Sequence, residues 1–197
     1  QALWVTGFAQ SFAKDMSIYA YNFGLPQPAA MSFGLSMALP EAVLIYAGGD
    51  PAIAYVIITA MWLAVAYWGA YTFSRWIGTG RPASIGGALV WCTLPIIWTH
   101  QPYSAVASGI ALLPFYSLFA FRVIQGDVRL ATCAGYIAAC FIAVFMDGYT
   151  FMMMATGTGL GLVCEVAQRR EPLKSLLFRS VIIVAGLGSA YVAYALY

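Results

Sequence analysis

Long apolar stretches, each closed by charged residues, prolines or turns, are the feature that most limits the fold of this chain. Six of them run through residues 52–73, 83–98, 103–121, 130–146, 149–164 and 180–197. A bilayer crossing needs about 20 apolar residues, so each stretch is close to the length of a transmembrane helix. The strands of a membrane barrel would instead alternate polar and apolar residues. We therefore predict an all-α, polytopic transmembrane helical bundle with about six spans.

The composition supports an integral membrane protein. Hydrophobic residues make up 62% of the chain and charged residues 8%, against roughly 25% charged residues in an average soluble domain. The net charge of +2 is scattered singly along the sequence, which argues against a nucleic-acid partner. The four cysteines lie in apolar runs without CxxC spacing, so we interpret them as packing residues.

The distribution of Lys and Arg predicts the orientation of the bundle. If successive spans alternate in direction, the loops at residues 75–81, 122–129 and 169–179 share one side. These loops hold eight of the nine basic residues, whereas the loops at 50–51, 100–102 and 147–148 hold none. By the positive-inside rule the Arg-rich side is the cytoplasm. We predict a multi-pass protein of the bacterial inner (plasma) membrane.

The segment before the first span admits two interpretations. In one, residues 29–47 cross the membrane, with Pro40 and Glu41 in the middle of the span. In the other, which we favour, residues 10–50 form an extracytoplasmic loop of short interfacial helices, because prolines divide the segment into pieces too short to cross. Residues 52–197 then hold the transmembrane helices. We expect residues 1–197 to be a single transmembrane domain and a fragment of a longer chain, since the sequence begins without Met and ends inside an apolar run.

Small residues predict close helix contacts rather than nucleotide binding. Gly157 and Gly161 are four residues apart, a spacing that lets another helix approach closely. We therefore consider membrane-protein partners at Gly157/Gly161. The strings "GTG" and "GTGLGL" do not follow a strand in a βαβ unit, so a dinucleotide site is not predicted.

The few polar residues on the predicted outside face are the candidates for chemistry: Asp15, Glu41, Asp50, His100, Tyr103 and Asp147. Their carboxylates can form a cation site or supply a general base. Simpler interpretations are open for each acid. Asp50 before Pro51 is typical of a helix N-cap, and Glu41 after Pro40 is typical of a first helical turn.

Asp147 and His100 each have a functional and a structural interpretation. Asp147 lies in a short Asp-Gly turn between two spans, where it is either a turn residue or a substrate-binding carboxylate at the interface. His100 is the only histidine and cannot by itself build a zinc site. It is either a phosphate or sugar contact or an ordinary loop residue.

Three stretches resemble the GT-C superfamily of polytopic membrane glycosyltransferases, which use polyprenyl-phosphate sugars. "YNFGLPQPAAMSFGLSMALPEAVLIYAGGDPAIAY" resembles the first extracytoplasmic loop of that family and its passage into the next helix. "AVAYWGAYTFSRWIGTGRPASIGGALVWCTLP" resembles a helix that ends on Arg before a Gly-rich cytoplasmic turn. "FMDGYTFMMMA" resembles a short outside turn between later helices. The chain would then be the N-terminal part of the membrane domain, with one helix before Gln1 and others after Tyr197.

The resemblance implies a sugar transfer at the cell envelope, from a polyprenyl-phosphate-linked sugar to an acceptor on the extracytoplasmic face. In the family, a carboxylate of the first outside loop is a base or a metal ligand, and the matching position is Asp15. Asp15 lacks the paired acid of many members, so a divalent cation (Mg or Mn) is only an option. Candidate phosphate or sugar contacts are Lys14, His100, Tyr103, Asp147 and Tyr149.

Two other functions remain open. A transporter or flippase for a lipid-linked or hydrophobic substrate would use a proline-broken helix near its binding site. A non-catalytic membrane subunit would pack against partners through its small-residue faces. A transporter should show an internal repeat between its two halves, and residues 1–100 and 101–197 show none. A non-catalytic subunit needs no acid on the outside face.

Overall fold

The computed structural model describes residues 2–17, 19–20, 29–30, 34–100, 105–168 and 173–197. These residues form ten helices and one small antiparallel sheet. In chain order the elements are α1 (Ala2–Asp15), β1 (Tyr19–Ala20), β2 (Ala29–Ala30), α2 (Leu35–Tyr46), α3 (Pro51–Trp76), α4 (Arg81–Cys92), α5 (Pro95–His100), α6 (Ala105–Ala111), α7 (Leu113–Ile124), α8 (Leu130–Met146), α9 (Gly148–Gln168) and α10 (Leu173–Leu196).

The helices confirm the prediction of an all-α, multi-pass membrane protein. Four segments of the described chain are long and apolar enough to cross a bilayer: α3, α4 together with α5 (Arg81–Thr99), α9 and α10. The pair α6 and α7 makes a fifth if it counts as one span, although it bends by 47°. Helix α8 has 17 residues and is a shorter apolar helix. The six apolar stretches of the sequence thus correspond to helical segments, but the second and third are each divided in two.

Helix α7 lies at the centre of the bundle, where it contacts α3, α8, α9 and α10. Its buried side chains include Tyr116 and Val123, which belong to the main apolar core. Large apolar side chains are also exposed on the outer faces, for example Ile53 on α3 and Val181 on α10. In water such a surface would be unstable, whereas hydrocarbon solvates it readily.

Several glycines let helices of this chain approach one another closely. A Cβ atom at Gly69 of α3 would lie 2.6 Å from Cβ and 2.7 Å from Cα of Phe115 on α7. At Gly161 of α9 a Cβ would lie 2.7 Å from the ring of Phe121. Gly157, four residues before it, has open space beside its backbone. One member of the GxxxG pair therefore serves a contact within the chain, and the other faces outward.

Three tryptophans donate hydrogen bonds to backbone carbonyls at interruptions of helices. Pro40 lies inside α2 and has no N–H for the carbonyl of Ser36, and this carbonyl accepts instead from Nε1 of Trp62 at 3.2 Å. The remaining two bonds are at breaks between helices, from Trp91 to the Ala111 carbonyl at 2.9 Å and from Trp98 to the Cys92 carbonyl at 2.9 Å. Unsatisfied carbonyls are costly in hydrocarbon, so these indoles make the interruptions tolerable.

Helix α2 corrects two expectations of the favoured interpretation of the opening segment. Pro40 does not end or begin a helix, because α2 continues through it from Leu35 to Tyr46. Glu41 is consequently in the middle of α2 rather than in a first turn, where a helix dipole could stabilise it. The Trp62 bond described above explains why the proline is tolerated at this position.

The turns at residues 77–80 and 125–129 form what we call the basic end of the bundle. There Asp127 pairs with Arg122 at 2.8 Å and with Arg129 at 2.7 Å, and it accepts a hydrogen bond from Thr132. The Arg129 guanidinium holds the pKa of the Asp127 carboxyl well below its usual range. Buried Arg179 of α10 donates to the last carbonyl of α7, that of Ile124, at 2.8 Å. These bonds tie α7, α8 and α10 together at this end.

Candidate functional site

The other end of the bundle gathers most of the acidic candidates, and we call it the acidic end. The backbone N–H of Gly34, just before α2, donates to the Met146 carbonyl at the end of α8 at 3.0 Å. Tyr197, after α10, packs edge-on against Phe145 and lies within electrostatic range of Tyr19 in β1. The segment that follows α1 therefore meets the α8–α9 turn at this end.

Asp147 is enclosed in the α8–α9 turn. Its side chain is 3% exposed, and Oδ2 accepts hydrogen bonds from the backbone N–H and the hydroxyl of Thr150 at 3.0 and 2.8 Å. This geometry is that of an N-cap for α9. Thr150 in turn contacts the backbone of α6 at Gly109, where no side chain larger than hydrogen fits. The turn interpretation of Asp147 thus has a clear structural basis, and its substrate-binding role stays a prediction.

A second buried polar group lies close to Asp147. The hydroxyl of Tyr116 on α7 is fully buried, is within electrostatic range of Asp147, and has no hydrogen-bond partner among the described residues. Ser108 of α6 is also buried and donates to the sulfur of Met37 on α2 at 3.5 Å. Polar atoms therefore surround the 47° bend between α6 and α7.

The α8–α9 turn lies deeper in the bundle than the start of α3. Ser36 shows which part of α3 lies level with which part of α8. Its carbonyl accepts from Trp62 of α3, and its hydroxyl donates to the carbonyl of Ile142 on α8. At about 1.5 Å per residue, Trp62 lies about 16 Å from the start of α3, and Ile142 lies about 6 Å from the end of α8. The turn with Asp147 is thus about 10 Å below the level at which α3 begins.

Asp15 and Lys14 differ from Asp147 in their surroundings. Both are exposed in the last turn of α1. Within the described ranges, neither side chain has a hydrogen bond or ion pair. The carboxylate of Asp15 is thus open to solvent, unlike that of Asp147.

Asp50 confirms its prediction as a helix cap. Its Oδ1 accepts from the backbone N–H groups of Ala52 and Ile53 at 2.9 and 3.1 Å, and Pro51 follows at the first helical position. It is therefore a structural acid of the acidic end, and it offers a matched comparison for Asp15.

Tyr149 lines an apolar groove at the acidic end. The tyrosine is 72% exposed. The groove has a volume of about 430 Å³ and lies between the α8–α9 turn and the end of α10. Its other lining residues are Val144, Gly148, Phe151, Met152, Tyr191 and Tyr194. Gly148, one of the lining residues, directly follows Asp147 in the chain, so the groove begins one residue from the buried acid.

The remaining candidates are not placed at this site. His100 is the last residue of α5, and its side chain lies outside the description. Tyr103 lies outside the described residues. Their roles stay predictions. No group of three or more His, Cys, Asp or Glu side chains that could hold a metal ion occurs in the described part of the chain.

Sequence reasoning misjudged the environment of Glu41. This side chain is 0% exposed, and neither carboxylate oxygen has a hydrogen-bond partner of standard geometry among the described residues. One signal was available, since Glu41 follows Met37 and Ala38 at the spacing of one helical face. An acid on the apolar face of a helix indicates an unusual environment, but the assumed helix boundary at Pro40 concealed the pattern.

Comparisons with known proteins add no family assignment. No protein-family model matches the chain, and neither the curated proteins nor the solved structures contain a significant match.

Proposed function

We propose that the chain belongs to a membrane glycosyltransferase that moves a sugar from a polyprenyl-phosphate donor to an acceptor at the acidic end of the bundle. The observation that carries the proposal is the contrast among the acids of this end. Asp50 caps α3, Asp147 caps α9, and Asp15 alone is exposed without a described partner. A general base needs this availability, because it must reach the proton of an incoming hydroxyl.

The proposed reaction is a displacement with inversion at the anomeric carbon. The Asp15 carboxylate takes the proton of the acceptor hydroxyl as that oxygen forms a bond to the anomeric carbon. The bond from this carbon to the phosphate oxygen breaks, and the lipid phosphate leaves with the electron pair. Lys14, beside Asp15, would attract the phosphate. His100, Tyr103 and Tyr149 are further proposed contacts, and the groove at Tyr149 would border the donor.

A divalent cation has limited support as part of this site. Mg²⁺ or Mn²⁺ binds to several oxygen ligands, and protein sites usually supply one or two carboxylates together with substrate phosphates. Asp15 could supply one such ligand, but the described residues do not provide a group of three. The steps above therefore do not pass through a metal ion.

The proposed location is the bacterial inner membrane, with the basic end in the cytoplasm. The support for this orientation is the concentration of Lys and Arg in the loops of that end. The donor and the acceptor would then meet on the extracytoplasmic face, and Asp15 would lie on that face.

Replacement of Asp15 by Asn tests the proposal. Membranes that contain the protein are incubated with a panel of radiolabelled polyprenyl-phosphate sugars, and transfer of label out of the lipid fraction is measured. We expect Asp15→Asn to lower the rate by about 100-fold or more, the usual contribution of a general base. The matched control is Asp50→Asn, because Asn also caps helices and the rate should be unchanged. Full activity of Asp15→Asn would overturn the proposal.

The bent span favours transport as the second candidate. Discontinuous helices often form binding sites in transporters, and the break between α6 and α7 has buried Ser108 and Tyr116 beside it. The same labelled lipids distinguish the two functions. Movement of intact donor across vesicles, without transfer and unaffected by Asp15→Asn, would indicate a flippase.

A further inference from the structure

Glu41 is a buried acid for which the proposed reaction has no use. It lies in α2 on the same face as the buried residues Met37, Ala38 and Ala42. Helix α2 packs mainly against α1, whose buried side chains include Val5 and Phe8. Its carboxyl group is fully enclosed, and its oxygens have no standard hydrogen bond within the described residues.

The neighbouring elements offer Glu41 no counter-charge. Helix α2 carries no other charged residue, and α6 and α8, which contact it, carry none. On α1 the charged residues are Lys14 and Asp15, which are exposed in its last turn. On α3 the charged residue is Arg75, which lies more than about 20 Å from the level of Glu41 along the helix axis.

The other titratable groups on and beside the elements packed against Glu41 are neutral, enclosed or, for Tyr46 and Asp50, exposed to solvent. Tyr55 on α3 is half-buried, Tyr136 and Cys140 on α8 are buried, and Asp147 beyond α8 is bonded to Thr150. The polar side chain that acts on Glu41 is the hydroxyl of Thr6 on α1. An isolated carboxylate at such a site would be strongly destabilised, whereas the neutral acid would not.

We propose that Glu41 is a proton-binding site, which in its neutral form stabilises the packing of α1 on α2 and on ionisation loosens it. The inference goes beyond the transferase and does not depend on it. Because Asp15 ends α1, ionisation of Glu41 would also release the helix that positions Asp15.

The direction of the pH effect follows from linkage. Burial raises the pKa of Glu41 above its ordinary value of 4.5, and the Thr6 hydroxyl offsets only part of this rise. When the pH lies above this ordinary pKa and below the raised one, the packed state holds one proton more than the open state. The packed state is therefore favoured at low pH and becomes less stable as the pH rises, by up to about tenfold in the opening equilibrium per pH unit, until the raised pKa is passed.

Hydrogen exchange of the full chain in lipid nanodiscs, followed by mass spectrometry, tests this inference. Wild type and Glu41→Gln are compared at the same pH, so that the intrinsic exchange rates cancel. From pH 5 upward, the protection of α1 and α2 in wild type should fall relative to Glu41→Gln, by up to about tenfold per pH unit. Protection of α9 and α10 should be the same in both proteins, and Asp50→Asn should behave as wild type.

A ratio of protection between wild type and Glu41→Gln that does not change with pH would overturn the inference. If Glu41→Gln does not insert, Glu41→Met removes the ionisable group with a similar side-chain volume and serves in its place. Wild type alone also decides the question. Its protection in α1 and α2, relative to α9, must decrease between pH 5 and pH 8, and a constant value would contradict a proton-binding role.

Discussion

At the scale of single residues, polar groups decide how this apolar chain folds. Asp50 is an N-cap that the sequence predicts correctly, because the cap and its Pro51 are adjacent. The role of Trp62 could not be predicted in this way. Its partner, the Ser36 carbonyl, is distant in sequence and has no donor within α2, because Pro40 lacks an N–H. Contacts within one turn can thus be read from the sequence, whereas bonds between helices need the tertiary structure.

Replacement of Trp62 by Phe tests the importance of these indole bonds. The substitution keeps an aromatic ring but removes the donor to Ser36, so a half-buried carbonyl loses its partner. We expect the free energy of unfolding in detergent to fall by about 1–3 kcal/mol. Trp68→Phe is the matched control on the same helix, because Trp68 is half exposed and donates no hydrogen bond among the described residues. Equal losses in the two variants would show that ring size, not the hydrogen bond, accounts for the effect.

At the scale of elements, spans approach each other closely away from the GxxxG pattern. One such place is where Gly69 of α3 faces the backbone of Phe115 on α7. Gly69 lies in "YWGAYTF", which carries no repeated glycine spacing. The sequence identifies small residues that permit contact, but the choice among them depends on how the helices cross. The outward face of Gly157 is still available for the proposed membrane-protein partner.

Replacement of Gly69 by Ala should therefore separate α3 from α7. The added Cβ meets backbone atoms that cannot move without shifting a helix, so we expect a loss of about 1–3 kcal/mol in the free energy of unfolding. Gly157→Ala adds the same methyl group in open space and should be neutral or slightly stabilising. Thermal unfolding of the two variants in detergent measures the difference. A stable Gly69→Ala protein would contradict the close contact.

At the scale of the whole molecule, the number of apolar stretches and the all-α class could be predicted, because the bilayer fixes the length of a span. The interruptions were harder to foresee. The bend at Leu112 precedes Pro114, and a proline near a helix start is compatible with a continuous span as well as with a break. Helix α2 was also misjudged, since Trp62 compensates for its proline from another element.

The orientation of the bundle is the whole-molecule prediction. In a variant without the four native cysteines, single cysteines are placed at Thr79, Gln125 and Ala47, and a membrane-impermeant thiol reagent is added to intact cells. Ala47→Cys should be labelled from outside. Thr79→Cys and Gln125→Cys should be labelled only after the membrane is opened. The reverse pattern would place Asp15 in the cytoplasm and remove the topological basis of the proposed transferase.

The unequal lengths of α3 and α8 also affect the surrounding lipid. At about 1.5 Å per residue, α3 is about 39 Å long and α8 about 26 Å, whereas the hydrocarbon core is about 30 Å thick. A bilayer that matches one flank of the molecule therefore mismatches the other, and it adapts by local thinning beside α8. Headgroups and water would then descend toward the α8–α9 turn. In the proposed transferase, a water-soluble acceptor and a lipid-anchored donor would meet there without either one leaving its own phase.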